Sequence, residues 1–227
     1  MGRIEFADGT VAYYREGTSD FNTLKEVLET KCYGRIGVMP GEHWLDLGAN
    51  VGAFALYAAS QGARTTCYEP DAECFKMLTK NVSELSTCVG HNSAVTASKE
   101  KLIKFYKSPR EASESRNTVF HRHGYKEYST VYNKFVGTLG KFDGIKMDIE
   151  GSEGPILDAG LLPKCNKFVM EYHSSVDDSL SNFFRRIKYL KTLFKRVEYS
   201  KEFDRAKEQK LERYKPFFDR NVFAWKE

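Results

Sequence analysis

The chain has 227 residues, 41% of them hydrophobic, and a net charge of +4; that is enough to bury one ordinary core, and no Pro-, Gly- or Ser-rich linker divides it. Its first residues, MGRIEFADGT, contain no apolar signal segment, Phe6 stands where an acylation start needs Ser or Thr, and no run approaches the ~18 apolar residues of a membrane span. Five cysteines, an odd number without a C-x-x-C pair, indicate neither a disulfide framework nor a zinc knuckle and point to a reducing, cytoplasmic setting.

In chain order, weak opening strands precede a helix that Asp20 is placed to cap, with Phe21, Leu24, Val27 and Leu28 at helical spacing. Residues 1–40 read as an N-terminal cap region and 41–227 as the core of one domain. Trp44, Leu45 and Leu47 predict a buried strand at 44–47, and the glycines of W-L-D-L-G-A-N-V-G allow a tight turn into a helix at 52–60. Arg64–Glu69 is a second strand, 71–82 a helix with Phe75, Leu78 and Val82 inward, and Ser86–Val95 a third strand ending in N-S-A-V. Strand and helix alternating at this rhythm imply a doubly wound parallel sheet.

This first half resembles a nucleoside cradle. Glu69 lies about 20 positions past the glycine turn, where an acidic residue accepts hydrogen bonds from both ribose hydroxyls. A dinucleotide fingerprint needs a bare second glycine for the pyrophosphate, and here that position is Asn50. With anionic Asp46 just ahead of the turn, the pattern suits a ligand bearing an ammonium and a sulfonium, S-adenosylmethionine, better than NAD. A glycine turn alone can be simple packing; Glu69 at the end of the next strand weighs against that.

Leu102–Tyr106 alternates like an edge strand, and the polar stretch 108–128 then interrupts the pattern. A stretch of that length without periodicity is expected to be a substrate loop. Gly144–Ile149 resumes as a central strand, followed by a short helix at Pro155–Ala159, a strand at Lys167–Tyr172 and a long helix at Asp177–Phe194. The basic residues Arg185, Arg186, Lys188, Lys191, Lys195 and Arg196 crowd this last segment and fit the solvated outer face of a core helix better than an anion-binding patch. Arg196–Tyr199 and Asn221–Trp225 can pair as a terminal antiparallel hairpin.

A second polar constellation closes the reading. In I-K-M-D-I-E-G-S-E at 145–153, Asp148 and Glu150 are two apart at a strand's carboxyl end and share a side; Glu171 and His173 repeat the spacing in K-F-V-M-E-Y-H. If the two strands are neighbours, four polar groups meet at the rim where doubly wound sheets bind ligands. An isolated Asp or His would be a helix cap or a satisfied core residue, but paired carboxylates beside a carboxylate–histidine pair fit chemistry better.

R-E-G-T-S-D at 15–20, L-D-L-G-A-N-V-G-A-F with Y-E-P between 45 and 70, and I-K-M-D-I-E-G-S-E with M-E-Y-H between 145 and 173 together resemble the FkbM-type S-adenosylmethionine-dependent methyltransferases, most of which methylate hydroxyl oxygens of sugars or natural products. The resemblance spans nearly the whole chain, and the D-x-E-G-x-E block is its most specific part. It implies an α/β class I methyltransferase (Rossmann-like) fold, a doubly wound seven-stranded sheet with an antiparallel last strand. Family members usually carry an acidic T-L-D segment ahead of that block; here Gly140 replaces the acid.

The residues and the resemblance together place Asp46, Gly48, Asn50 and Gly52 around the methionine part of S-adenosylmethionine, Glu69 at the ribose and Asn92 and Ser93 at the adenine, with Asp148 facing cofactor and acceptor alike. Asp20 and Tyr33 can close over the site, or serve as a cap and a packed ring. Asp148, Glu150, Glu171 and His173 are the catalytic candidates for deprotonating a sugar hydroxyl, with His173 as the base of ordinary near-neutral pKa. The same four groups can instead hold a divalent metal, which is not the favoured reading.

The rivals are a nucleic-acid methyltransferase, an idle cofactor-binding module and a dehydrogenase. Base-amino methylation usually shows Asn or Asp followed by Pro-Pro and an aromatic residue where D-I-E-G stands. A ribose hydroxyl is still open, since Arg116, His121, Arg122 and His123 of the polar loop can meet phosphates. The intact polar cluster argues against an idle module and Asn50 against a dehydrogenase.

Overall fold

The computed structural model describes residues 1–107, 117–119, 126–173, 179–201, 203–204 and 221–226. Strands β1 (Gly2–Glu5) and β2 (Val11–Tyr14) form an antiparallel hairpin, and helix α1 (Asp20–Leu28) follows. Ser19, not Asp20, is the N-cap of α1. Asp20 is drawn the other way: its carboxylate takes the backbone N–H of Arg15 at 2.9 Å and both prongs of the Arg15 guanidinium at 2.8 Å. A bidentate guanidinium satisfies more of a buried carboxylate than a cap bond does.

The main sheet contains β3 (His43–Leu47), β4 (Arg64–Tyr68), β5 (Cys88–His91), β9 (Gly144–Met147), β10 (Lys167–Glu171), β11 (Arg196–Glu198) and β12 (Asn221–Trp225), in the order β11-β12-β10-β9-β3-β4-β5. The pairs β3–β4, β4–β5, β3–β9 and β9–β10 are parallel, while β12 runs antiparallel to both β10 and β11. The expected seven strands with an antiparallel last strand are present.

Each central strand buries both faces, which is why it reads as a continuous apolar run. Leu45, Leu47, Ile145, Met147, Phe168 and Met170 share one core with helices α4 (Glu153–Asp158) and α5 (Leu180–Leu193). On the other face Trp44, Val169 and Phe223 pack with α1 and with α2 (Ala53–Ser60). Helix α3 (Ala72–Asn81) is capped by Asp71, which accepts the N–H groups of Glu73 and Cys74.

The strand read at 86–95 is two: β5 ends at His91, and β6 (Ala94–Thr96) leaves to pair with β8 (Lys126–Phe135), so Asn92 and Ser93 form the link between sheets. β8 and β7 (Leu102–Lys107) complete that second sheet. The polar stretch therefore runs into a ten-residue strand with no fully buried position, which gives no alternating apolar signal. Arg186 does not belong to the solvated face of α5: it is buried, bidentate to Asp158 at 2.7 and 3.0 Å and 2.7 Å from the Tyr172 hydroxyl. Helix α5 starts at Leu180 with Ser179 as its cap; Asp177 lies outside the described residues. Among the described residues no helix is long and apolar enough to cross a membrane.

Candidate active site

The cradle is built at the carboxyl ends of β3 and β4. Gly48 and Ala49 both donate backbone N–H groups to the Tyr68 carbonyl at 3.0 Å, folding the turn onto β4. Asn50 then adopts a left-handed φ of 49°, and its N–H donates to Glu69 Oε2 at 2.8 Å. The other carboxylate oxygen accepts the Asp71 N–H at 2.8 Å. Burial raises the Glu69 carboxyl to about 7 against these two donors.

The Asn50 side-chain Oδ1 is buried without a hydrogen-bond partner among the described residues, the kind of atom that a ligand donor would satisfy. Asn92 donates to the carbonyls of Glu69 and Pro70 at 2.8 and 3.2 Å, and the Ser93 hydroxyl to those of Ala94 and Tyr132 at 2.9 and 3.1 Å. Both therefore brace the rim next to Glu69.

Two glycines are required for different reasons. A Cβ on Gly48 would land on the Asp148 carbonyl oxygen, and one on Gly52 would meet Leu78 Cδ1 at 2.7 Å. The first makes the cradle and the D-x-E-G turn touch backbone to backbone; the second seats α2 against α3. Asp46 is fully buried, and its partner is one the sequence reading passed over: Lys146, opposite it on β9, with Nζ 3.2 Å from Asp46 Oδ1, 2.6 Å from the Gly48 carbonyl and 3.8 Å from Asp148 Oδ2. Burial alone would lower the Lys146 ammonium, but Asp46 and Asp148 outweigh it and raise it. The signal was a lysine inside an otherwise apolar central strand.

β9 and β10 are parallel neighbours, so the four catalytic candidates do converge. His173 is their hub. Its Nδ1 lies 3.2 Å from Glu153 and 3.8 Å from Asp148, and its Nε2 lies 3.6 Å from Glu150 and 3.4 Å from Glu171. Burial by itself would lower the imidazole, but Glu150, Glu153 and Glu171 outweigh it and hold the ring well above the usual histidine range. Burial raises the Asp148 carboxyl to about 8, with Glu171 and Glu150 pushing the same way and Lys146 and His173 opposing.

Glu153 is the second residue the sequence reading left without a role. It is fully buried and accepts the N–H groups of Ile149 at 2.9 Å and Gly151 at 2.8 Å, so it shapes the turn that carries Glu150. Exposure increases outward through Glu150 at 14%, Asp148 at 26% and Glu171 at 35%, so these three acids are the ones open to an incoming group. Ligand atoms of Asp148, Glu150 and His173 also lie within 4.8 Å of one another, a donor set of the right type for a divalent cation.

Of the N-terminal residues, Tyr33 does reach the site: its ring packs on Phe54 and lies 5.9 Å from Lys146 Nζ. Asp20 serves Arg15 instead. Arg116, His121, Arg122 and His123 lie outside the described residues.

The sheet order, the antiparallel strand next to the edge and the glycine turn after β3 define a class I methyltransferase fold. The chain belongs to the FkbM methyltransferase domain family, whose model matches residues 46–199. Three solved structures are similar at low identity. Precorrin-6y C5,15-methyltransferase from Geobacter metallireducens GS-15 matches at 13% identity and a TM-score of 0.47, over 95% of this chain and 94% of its own. The magnesium protoporphyrin IX methyltransferase ChlM from Synechocystis PCC 6803, solved with bound SAM, gives 11% and 0.46, over 91% of this chain and 79% of its own. An FkbM methyltransferase from Methylobacillus flagellatus KT gives 15% and 0.45, over 82% of this chain and 44% of its own. No curated protein matches.

Proposed function

We propose that the protein transfers the methyl group of S-adenosylmethionine to a hydroxyl oxygen of a sugar or glycan. The observation that carries this reading is the cluster of Asp148, Glu150 and Glu171 around His173, directly against the glycine cradle. The cofactor, when bound, supplies an electrophilic methyl on a sulfonium. Asn50 Oδ1 and Glu69 suit its ammonium and ribose hydroxyls.

A sugar hydroxyl needs its proton removed as the oxygen attacks, by a base with a pKa near the working pH. The acids around His173 favour the protonated ring, so in this reading it holds the carboxylates together and a carboxylate is the base. Asp148 suits that role, because it sits at the seam with the cradle and burial lifts it into the neutral range. Glu150 and Glu171 are open enough to accept hydrogen bonds from neighbouring hydroxyls of the acceptor.

Among the described residues the acceptor side is lined by Asp148, Glu150 and Glu171, acids that repel phosphate and so favour a neutral glycan over RNA ribose. The test is incubation with labelled S-adenosylmethionine and a panel of glycans and RNAs, with calorimetry using S-adenosylhomocysteine and NAD in parallel. Labelling of RNA alone, or binding of NAD alone, overturns the reading. The second reading, a divalent cation held by Asp148, Glu150 and His173, requires turnover to vanish on chelation and return with the metal.

A further inference from the structure

Between the ribose side and the acceptor side of the site lies a short piece of chain from the polar stretch, Asn117–Thr118, that the scheme above does not use. Both residues are buried, Thr118 to 1% exposure. Thr118 is tied into the second sheet by two backbone hydrogen bonds with Tyr106, at 2.7 and 3.0 Å. Its hydroxyl donates to the Glu150 carbonyl at 2.8 Å. The neighbouring Asn117 amide donates to Asp71 Oδ2 at 3.0 Å.

The acceptor of the Thr118 hydroxyl matters. Glu150 has a φ of 50°, a left-handed conformation that is strained for a residue other than glycine. Such a backbone persists only where surrounding groups over-determine it. Glu153 fixes the turn from within through the Ile149 and Gly151 N–H groups, and Thr118 fixes it from outside through the Glu150 carbonyl. The conformation so held is the one that brings the Glu150 carboxylate to within 3.6 Å of His173 Nε2.

The opposite end of the dipeptide reaches the cofactor side. Asp71 accepts from Asn117 with one oxygen and caps α3 with the other, while its own N–H donates to Glu69. The Asn117–Thr118 peptide thus joins two sets of hydrogen bonds, one reaching Glu69 through Asp71 and the other ending at the Glu150 carbonyl.

We propose that Thr118 is a positioning residue, anchored by Asn117, whose hydroxyl holds Glu150 in the left-handed conformation that aims its carboxylate into the acceptor site. The proposal rests on the methyltransferase reading for its kinetic consequence but not for its structural one. A methyl in place of the hydroxyl keeps the shape and removes the bond, whereas serine keeps the bond.

The experiment compares wild type, Thr118→Val and Thr118→Ser, with Thr118→Ala replacing the valine variant if that does not fold. Three quantities are read: S-adenosylhomocysteine affinity by calorimetry, the low-field ring N–H proton signals of His173, assigned with His173→Gln, and turnover with the acceptor found in the glycan panel. Thr118→Val is expected to move or broaden the His173 signal facing Glu150 and to lower kcat about tenfold, with S-adenosylhomocysteine affinity within twofold of wild type; Thr118→Ser restores both.

Unchanged His173 signals in Thr118→Val overturn the proposal. So does a loss of S-adenosylhomocysteine affinity as large as the loss of turnover, which would mark a general folding role. If no glycan is methylated, the His173 signals and the calorimetry still decide the role of Thr118, so failure of the substrate reading is seen separately.

Discussion

Lys146 and Asp46 face each other across neighbouring strands at 3.2 Å, 5% and 0% exposed, directly beneath the glycine turn. Removing one partner of such a pair leaves an uncompensated buried charge, at a cost of about 3–5 kcal/mol. Lys146→Met is therefore expected to lower unfolding stability in urea by about that amount. Adding Asp46→Leu to it should recover much of the loss, since a well-packed apolar pair can replace a buried ion pair. A double variant no more stable than the single one would refute this account.

Activity should rise with pH. If Asp148 is the base, it must be ionised, so log kcat/KM is expected to climb through the neutral range and level off above about 8. Glu150 pushes the Asp148 carboxyl up, so Glu150→Gln should move that limb to lower pH while reducing the plateau. A limb near pH 4 in wild type would remove Asp148 from the role.

Glu69 gives a pH effect on binding. Its carboxyl, raised to about 7, is largely protonated at pH 6.5, and ribose hydroxyl donors favour the ionised form. Binding of S-adenosylhomocysteine at that pH is expected to release a fraction of a proton, measured by calorimetry in buffers of different ionisation enthalpy. For stability the sign is the reverse of a salt-bridged acid. The folded state holds the proton more tightly, so this group's contribution is complete below the unfolded value and is lost as pH rises through about 7. Glu69→Gln should abolish the proton release.

Glu153→Ala should act on shape. It deletes the acceptor of the part-buried Ile149 N–H and the buried Gly151 N–H and a neighbour of His173, and an unmet buried donor costs about 1–3 kcal/mol. The expected result is a lower Tm together with a loss of turnover of at least about tenfold, since displacement of a reacting group by an ångström alone can cost ~100-fold. Normal turnover in a folded Glu153→Ala would show that the turn holds without it.

The sheet was legible because its strands are short apolar runs punctuated by glycine turns, and the rim at which Asp148, Glu150, Glu171 and His173 gather was legible from their place at two strand ends; that Asp148, Glu150 and His173 lie past β9 and β10, with Glu150 aimed by a left-handed turn and not by strand alternation, was not. What escaped was long-range. Nothing local distinguishes Arg186 from Arg185, yet one is buried on Asp158 and the other stays on the surface. Lys146 was visible as a charge inside an apolar strand and Glu153 as the last acid of D-x-E-G-x-E, but Asp46 and His173, which they meet, lie on other elements. The upward shift of the His173 imidazole comes from acids near two separate strand ends, which residue type alone does not show.

The contact between Gly48 and the Asp148 carbonyl limits how this enzyme can be re-engineered. The glycine turn and the D-x-E-G turn interlock through bare backbone, so neither can be transplanted alone from a relative with different loop geometry. Chimeras meant to change the acceptor should exchange the surrounding loops and keep residues 46–52 and 146–153 as one inherited cassette.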